Sequence, residues 1–169
     1  MNQTARGGVD PLRMIVGMAD MGTGRVGDEL VTYSLGSCIA VAAVDLATGV
    51  GGLLHFMLPE SRLDRAKAVS RPCMFADTGI SKLLNECERL GAMRRRLVIK
   101  LAGGAQVLDK CNFFNVGERN YQAAKNLLQA QGLVIDGEDV GGSDVRTVEM
   151  QVSTGRVAIK LFGNRARLL

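Results

Sequence analysis

One histidine and no tryptophan occur among the 169 residues, with only two tyrosines and five phenylalanines. Each scarcity excludes something. A lone imidazole, at position 55, cannot build a zinc site that needs two or more histidines, nor the HExxH arrangement of metalloproteases. No metal site is therefore expected, and any step that calls for imidazole falls to His55. So few aromatics supply base-stacking platforms poorly, and no nucleic-acid partner is expected. Long apolar runs are missing as well. None reaches the roughly 18 residues of a membrane-spanning helix, so no membrane insertion is expected. The opening MNQTARGGVDPLR lacks the apolar centre of a secretory signal. The four cysteines (Cys38, Cys73, Cys87 and Cys111) form no CxxC pair, which argues against zinc ribbons and thioredoxin-type redox chemistry. Free thiols without an export signal point to a reducing cytoplasm.

What is present describes a globular chain. The sequence is 47% hydrophobic and 22% charged, far from a disordered composition. The length suits one domain. Residues 1–12 read as a flexible lead-in and 13–169 as a single domain. The net charge of +4 is modest. Arg94-Arg95-Arg96, and the group Arg62, Arg65, Lys67 and Arg71, read as solvated surface charge or as contacts for an acidic partner.

Periodicity sets the elements. Ile39–Val44 and Val50–Leu54 are continuous apolar runs, suited to strands covered on both faces. Asp45-Leu46-Ala47-Thr48-Gly49 between them has the composition of a hairpin turn. Strands are also expected at Met14–Met18, Leu30–Thr32, Leu97–Leu101, Leu133–Val140, Val145–Val152 and Arg156–Leu161. The Gly-rich Met21–Asp28 reads as a loop, as does the charged, proline-bounded Pro59–Pro72. Ile80, Leu83, Leu84, Cys87 and Leu90 follow the stripe of an amphipathic helix. Asp77 is its expected cap and Gly91 its stop. A second helix is expected from about Arg119 to Gln131. Strands outnumber helices, and the helices sit together mid-chain. That order predicts an α+β layered sandwich of mostly antiparallel strands with two main helices.

The first hairpin holds the chemistry. Cys38 opens one strand and His55 closes the other. A two-residue turn at Leu46-Ala47 sets them directly opposite. A four-residue turn, pairing Asp45 with Val50, sets them on one face a diagonal step apart. A three-residue turn sends them to opposite faces. In two of these registers a thiol nucleophile and an imidazole base share a face. Gly36 and Ser37 allow a tight turn whose N–H groups can support an oxyanion. The structural alternative is a small buried cysteine beside a satisfied core histidine. Cys87 reads as core, and Cys73 and Cys111 have no histidine nearby. Gly103-Gly104 and Gly22, Gly24 and Gly27 match no nucleotide fingerprint and read as tight turns. Glu118-Arg119-Asn120 and Asp139 with Gly141-Gly142 read only as polar punctuation.

The segment from Thr32 through Leu35-Gly36-Ser37-Cys38, followed by His55 and Met57-Leu58-Pro59, closely resembles the CheD family of chemoreceptor glutamine deamidases. Further matches are Ala76-Asp77, Lys100-Leu101-Ala102-Gly103-Gly104-Ala105, Gly117-Glu118-Arg119-Asn120, Glu138-Asp139 with Gly141-Gly142, and Ser153-Thr154-Gly155. Together they cover about residues 13–162. Ser143-Asp144-Val145-Arg146 departs from the family pattern. The resemblance implies a layered α/β sandwich and a Cys38-His55-Thr32 site, with Thr32 orienting the imidazole. It implies a glutamine side chain on a methyl-accepting chemotaxis receptor as substrate, hydrolysed through a Cys thioester with no cofactor. It also implies a CheC phosphatase as a partner of some members. The rival expectations are another thiol amidohydrolase, such as a transglutaminase or peptidase, and an adaptor that binds receptors or CheC with little catalysis.

Overall fold

The structure, a computed structural model, describes residues 12–106, 115–161 and 165–169. In chain order the strands are β1 (Arg13–Ile15), β2 (Asp20–Arg25), β3 (Glu29–Leu35), β4 (Ile39–Asp45), β5 (Val50–Phe56), β6 (Val98–Gly103), β7 (Ile135–Val140), β8 (Arg146–Gln151), β9 (Val157–Leu161) and β10 (Ala166–Leu168). The helices are α1 (Arg65–Ser70), α2 (Ala76–Arg89) and α3 (Val116–Ala130). Two five-stranded sheets form, in the orders β1-β3-β8-β9-β10 and β2-β5-β4-β6-β7. Pairing is antiparallel except for β1 with β3 and β6 with β7. The layered, mostly antiparallel architecture expected from the sequence is the one observed.

Two apolar cores explain the layering. Ala40, Ala42, Val44 and Leu53 of the second sheet meet Leu30, Val148, Met150 and Ile159 of the first. The opposite side chains of the same strands (Ile39, Val41, Ala43, Leu54 and Phe56) meet Ile80, Leu83, Leu84 and Cys87 of α2 and Ala124 and Leu128 of α3. The second sheet is therefore covered on both faces, and every residue of β4 and β5 is buried. That is why these two strands lack polar alternation. Full burial of each such leucine or isoleucine contributes about 1.5–3 kcal/mol. The hairpin adopts the four-residue turn: Asp45 pairs with Val50 and Ala40 with His55.

Several local expectations change. Asp20–Arg25, which overlaps the stretch Met21–Asp28 read as a loop, is an edge strand paired residue for residue with β5 from Asp20↔His55 to Arg25↔Val50. Ladder hydrogen bonds override the low strand propensity of its glycines. Within Pro59–Pro72 a short helix forms, α1, started by Asp64, whose side chain accepts from the Lys67 amide at 3.0 Å. Asp77 does not cap α2. The cap position is Phe75, and the Asp77 carboxylate accepts instead from the Ser61 amide and hydroxyl at 3.0 and 2.7 Å. Strand β3 continues through Ser34, which takes a left-handed conformation (φ 59°) at an irregularity between Thr32 and Leu35. The lead-in up to residue 11 and Cys111 lie outside the described residues.

Candidate active site

The four-residue turn puts Ala40 opposite His55. Cys38, two positions before Ala40, is thereby a diagonal step from His55 on one face. That face looks onto the other sheet, since Cys38 belongs to the inter-sheet core with Ala40 and Leu53. From the facing sheet, Thr32 of β3 reaches across. Its Oγ1 lies 2.8 Å from His55 Nδ1, and both side chains are buried. Thr32, Cys38 and His55, singled out in the sequence, thus converge where the two sheets meet.

The other nitrogen of the ring is the open valence. His55 Nε2 is buried and has no hydrogen-bond partner among the described residues. Burial drives the imidazole pKa down to about 4. Burial also raises the Cys38 thiol, partly offset by the Cys38 backbone N–H. Both groups are consequently neutral at pH 7, a thiol and a free base rather than a thiolate–imidazolium pair. Cys73 and Cys87 lie in the helix-facing core instead, and burial pushes Cys87 up to about 12.

The Gly36-Ser37-Cys38 turn is held by three donors. The Ala105 amide donates to Gly36 O and the Gly104 amide to Cys38 O, each at 2.8 Å. The Asn120 side chain donates to Ser37 O at 2.9 Å and to Met57 O at 2.8 Å. Close backbone approach makes this possible. Gly103, at φ 114°, lies where a Cβ would overlap the Cys38 carbonyl. Gly117 lies where a Cβ would overlap the Gly104 carbonyl. The Gly103-Gly104-Ala105 stretch is therefore a backing for the cysteine turn. Asn120 was missed by sequence reasoning. A signal existed, because it shares the i, i+4, i+8 stripe with buried Ala124 and Leu128 and is itself fully buried.

A further shell stiffens that backing. Arg146, the first residue of β8 and the last of the stretch that departs from the family pattern, is buried. It donates to Asp139 Oδ1 at 2.9 and 2.8 Å and to Gly141 O at 2.8 Å. Arg167 reaches Asp139 Oδ2 at 3.1 Å. The Gly141 amide then donates to Gly103 O, and the Gln106 amide to Gly142 O. Asp139 and Gly141-Gly142 are thus structural supports.

Comparison with known proteins identifies the family. Residues 57–161 match the family model described as CheD chemotactic sensory transduction. A relative from Syntrophus aciditrophicus, named probable chemoreceptor glutamine deamidase CheD 1, is 47% identical over 92% of this chain and 98% of its own length. The chain belongs to the CheD family. A CheD relative from Solibacter usitatus is 42% identical over 93% of this chain and 94% of its own, and one from Pyrococcus horikoshii is 40% identical over 86% and 90%. Both are named probable chemoreceptor glutamine deamidase CheD. The family model begins just past His55.

Proposed function

We propose that this protein deamidates glutamine side chains of chemoreceptors, with Cys38 as nucleophile, His55 as base and acid, and Thr32 as the residue that orients the imidazole. The observation that carries the reading is the buried Thr32–His55 contact at 2.8 Å, made by the lone histidine on the face that holds Cys38. With Nδ1–H donating to Thr32 Oγ1, the lone pair of Nε2 is left as the base. Cys38 Sγ attacks the glutamine Cδ as His55 Nε2 takes its proton. The carbonyl oxygen becomes an oxyanion facing the amides of the 36–38 turn, including Gly36 and Ser37. The tetrahedral centre collapses as His55 returns the proton to the departing nitrogen, releasing ammonia and leaving a thioester. Water then attacks the acyl carbon, giving its proton to His55. The thiolate leaves and is reprotonated, and glutamate is released. The balance is glutamine plus water to glutamate plus ammonia, with no cofactor.

A neutral pair suits this sequence. The thiol gives up its proton during attack, so no reactive thiolate stands exposed between turnovers. The chemoreceptors modified are of the methyl-accepting class, and the enzyme works on their cytoplasmic portion, where free thiols persist. A CheC-type phosphatase is a second binding partner.

Mass spectrometry of receptor protein tests the reading. Wild type should add about 1 Da at glutamine, and Cys38→Ala should not. A mass change that persists in Cys38→Ala refutes the mechanism. No change with either protein, while receptor still binds, favours an adaptor. Peptide cleavage or amine incorporation in place of ammonia release would indicate the other thiol chemistries.

A further inference from the structure

We infer that Asn120 is the positioning residue of the oxyanion site: its side-chain amide fixes the Ser37–Cys38 peptide so that the Cys38 N–H faces the carbonyl under attack. This rests on the deamidase reading above and extends it to a residue on α3. A peptide group is planar and trans, so its C=O and N–H point in opposite directions. Whatever holds Ser37 O therefore aims the Cys38 N–H. Asn120 Nδ2 holds Ser37 O at 2.9 Å, and the same nitrogen holds Met57 O at 2.8 Å, two residues past His55. One buried amide thus joins the turn that carries the thiol to the end of the strand that carries the imidazole. Its two N–H groups match two carbonyls, which an aspartate could not do. The flanking donors act in the same sense: the Ala105 amide on Gly36 O aims the Ser37 N–H. Burial raises the Cys38 thiol, and its own backbone N–H acts on the sulfur in the opposite direction. An amide beside the attacking sulfur is where an oxyanion donor has to be.

An oxyanion donor acts only in the transition state, and this separates Asn120 from a residue that merely supports the fold. The test compares wild type with Asn120→Ala and Asn120→Ser. It reads kcat and KM on receptor, Cys38 alkylation by iodoacetamide, and binding of a glutamine-aldehyde peptide. The aldehyde builds the tetrahedral oxyanion on sulfur, whereas alkylation builds none. Asn120→Ala should lower kcat by about 10- to 100-fold, with KM changed by less than about threefold. Aldehyde affinity should fall by a similar factor, while alkylation stays within about threefold of wild type. Asn120→Ser, with one donor in place of two, should fall between, and it carries the test if the alanine variant does not fold. Wild-type kcat in both variants overturns the proposal. So does a loss of kcat matched by an equal loss of alkylation rate, because that marks a general loosening. Wild-type protein that binds the aldehyde yet releases no ammonia from receptor refutes the deamidase reading instead, and leaves the Asn120 comparison of aldehyde and alkylation intact.

Discussion

Thr32 and His55 meet across the two sheets, Oγ1 to Nδ1 at 2.8 Å, and this is the one hydrogen bond the imidazole makes among the described residues. Among the described residues the ring has no other polar anchor. Removing it frees the ring to rotate or change tautomer. Thr32→Val keeps the shape and deletes the bond. Deamidation should fall by about 10- to 100-fold, and the fold should lose roughly 1–2 kcal/mol, because the Nδ1–H is left unsatisfied. Thr32→Ser should recover most of the rate. Steady-state kinetics and urea titration of the three proteins check this. Wild-type rates in Thr32→Val would refute an orienting role.

The buried imidazole also fixes a pH dependence. Its folded pKa, about 4, lies below the ordinary histidine value of 6.5. In the proposed mechanism the base is the neutral ring, so the acid limb of kcat/KM should fall near pH 4 to 5, not near 6.5.

Stability follows with its own sign. Below about pH 6.5 the unfolded chain takes up a proton at His55 that the folded chain refuses until about 4, so stability declines across that window as pH falls. The decline is at most about 3 kcal/mol, taking 1.36 kcal/mol per pH unit. The carboxylates held low in the fold, such as Glu149 beside Lys160 and Arg13, act lower, as pH falls below about 4.5. Urea midpoints at pH 7 and 5 should therefore differ for wild type and much less for His55→Gln. Parallel curves would show that His55 does not titrate as described.

Cys38 should react as a raised thiol. Desolvation lifts it above its ordinary value. Iodoacetamide should label it slowly at pH 7, with a rate that rises through the alkaline range and shows no acid-side plateau. A plateau below pH 7 would mean a resting thiolate–imidazolium pair.

The arginine triplet divides by role. Arg96 binds Asp45, which is fully buried and also accepts from the Met93 amide, with Arg96 nitrogens at 2.8–3.1 Å. Arg94 is engaged by Glu88, Asn85 and Gln131. Of the three, Arg95 is the exposed one. Arg96→Ala should cost about 3 kcal/mol, because a buried carboxylate loses its ion partner. Arg95→Glu should leave stability within about 0.5 kcal/mol of wild type and is the clean probe of receptor docking. An unchanged receptor affinity for Arg95→Glu removes this patch from the docking surface.

Legibility in the sequence tracked contact distance along the chain. The β4–β5 hairpin is local, so counting turn residues restricted Cys38 and His55 to a few relative positions, and the observed pairing was one of them. The α2 stripe was readable because helical periodicity is local too. Thr32 was not readable from spacing, since its partner is on another sheet and only the family resemblance pointed to it. Glycine content hid β2, whose strand character comes from its partner β5. Asp139 read as polar punctuation, and Arg146 only as part of a stretch departing from the family pattern, because their mutual burial depends on how β7 and β8 come together.

The three-donor support of the 36–38 turn has a consequence for synthesis. Its donors come from residues 104, 105 and 120, and the separation from Asn120 to Ser37 is 83 positions. A nascent chain that has exposed Cys38 and His55 still lacks the pieces that shape their surroundings. On the proposed mechanism, amide-hydrolysing reactivity is withheld until α3 has been made and docked, and unfinished chains carry an ordinary cysteine.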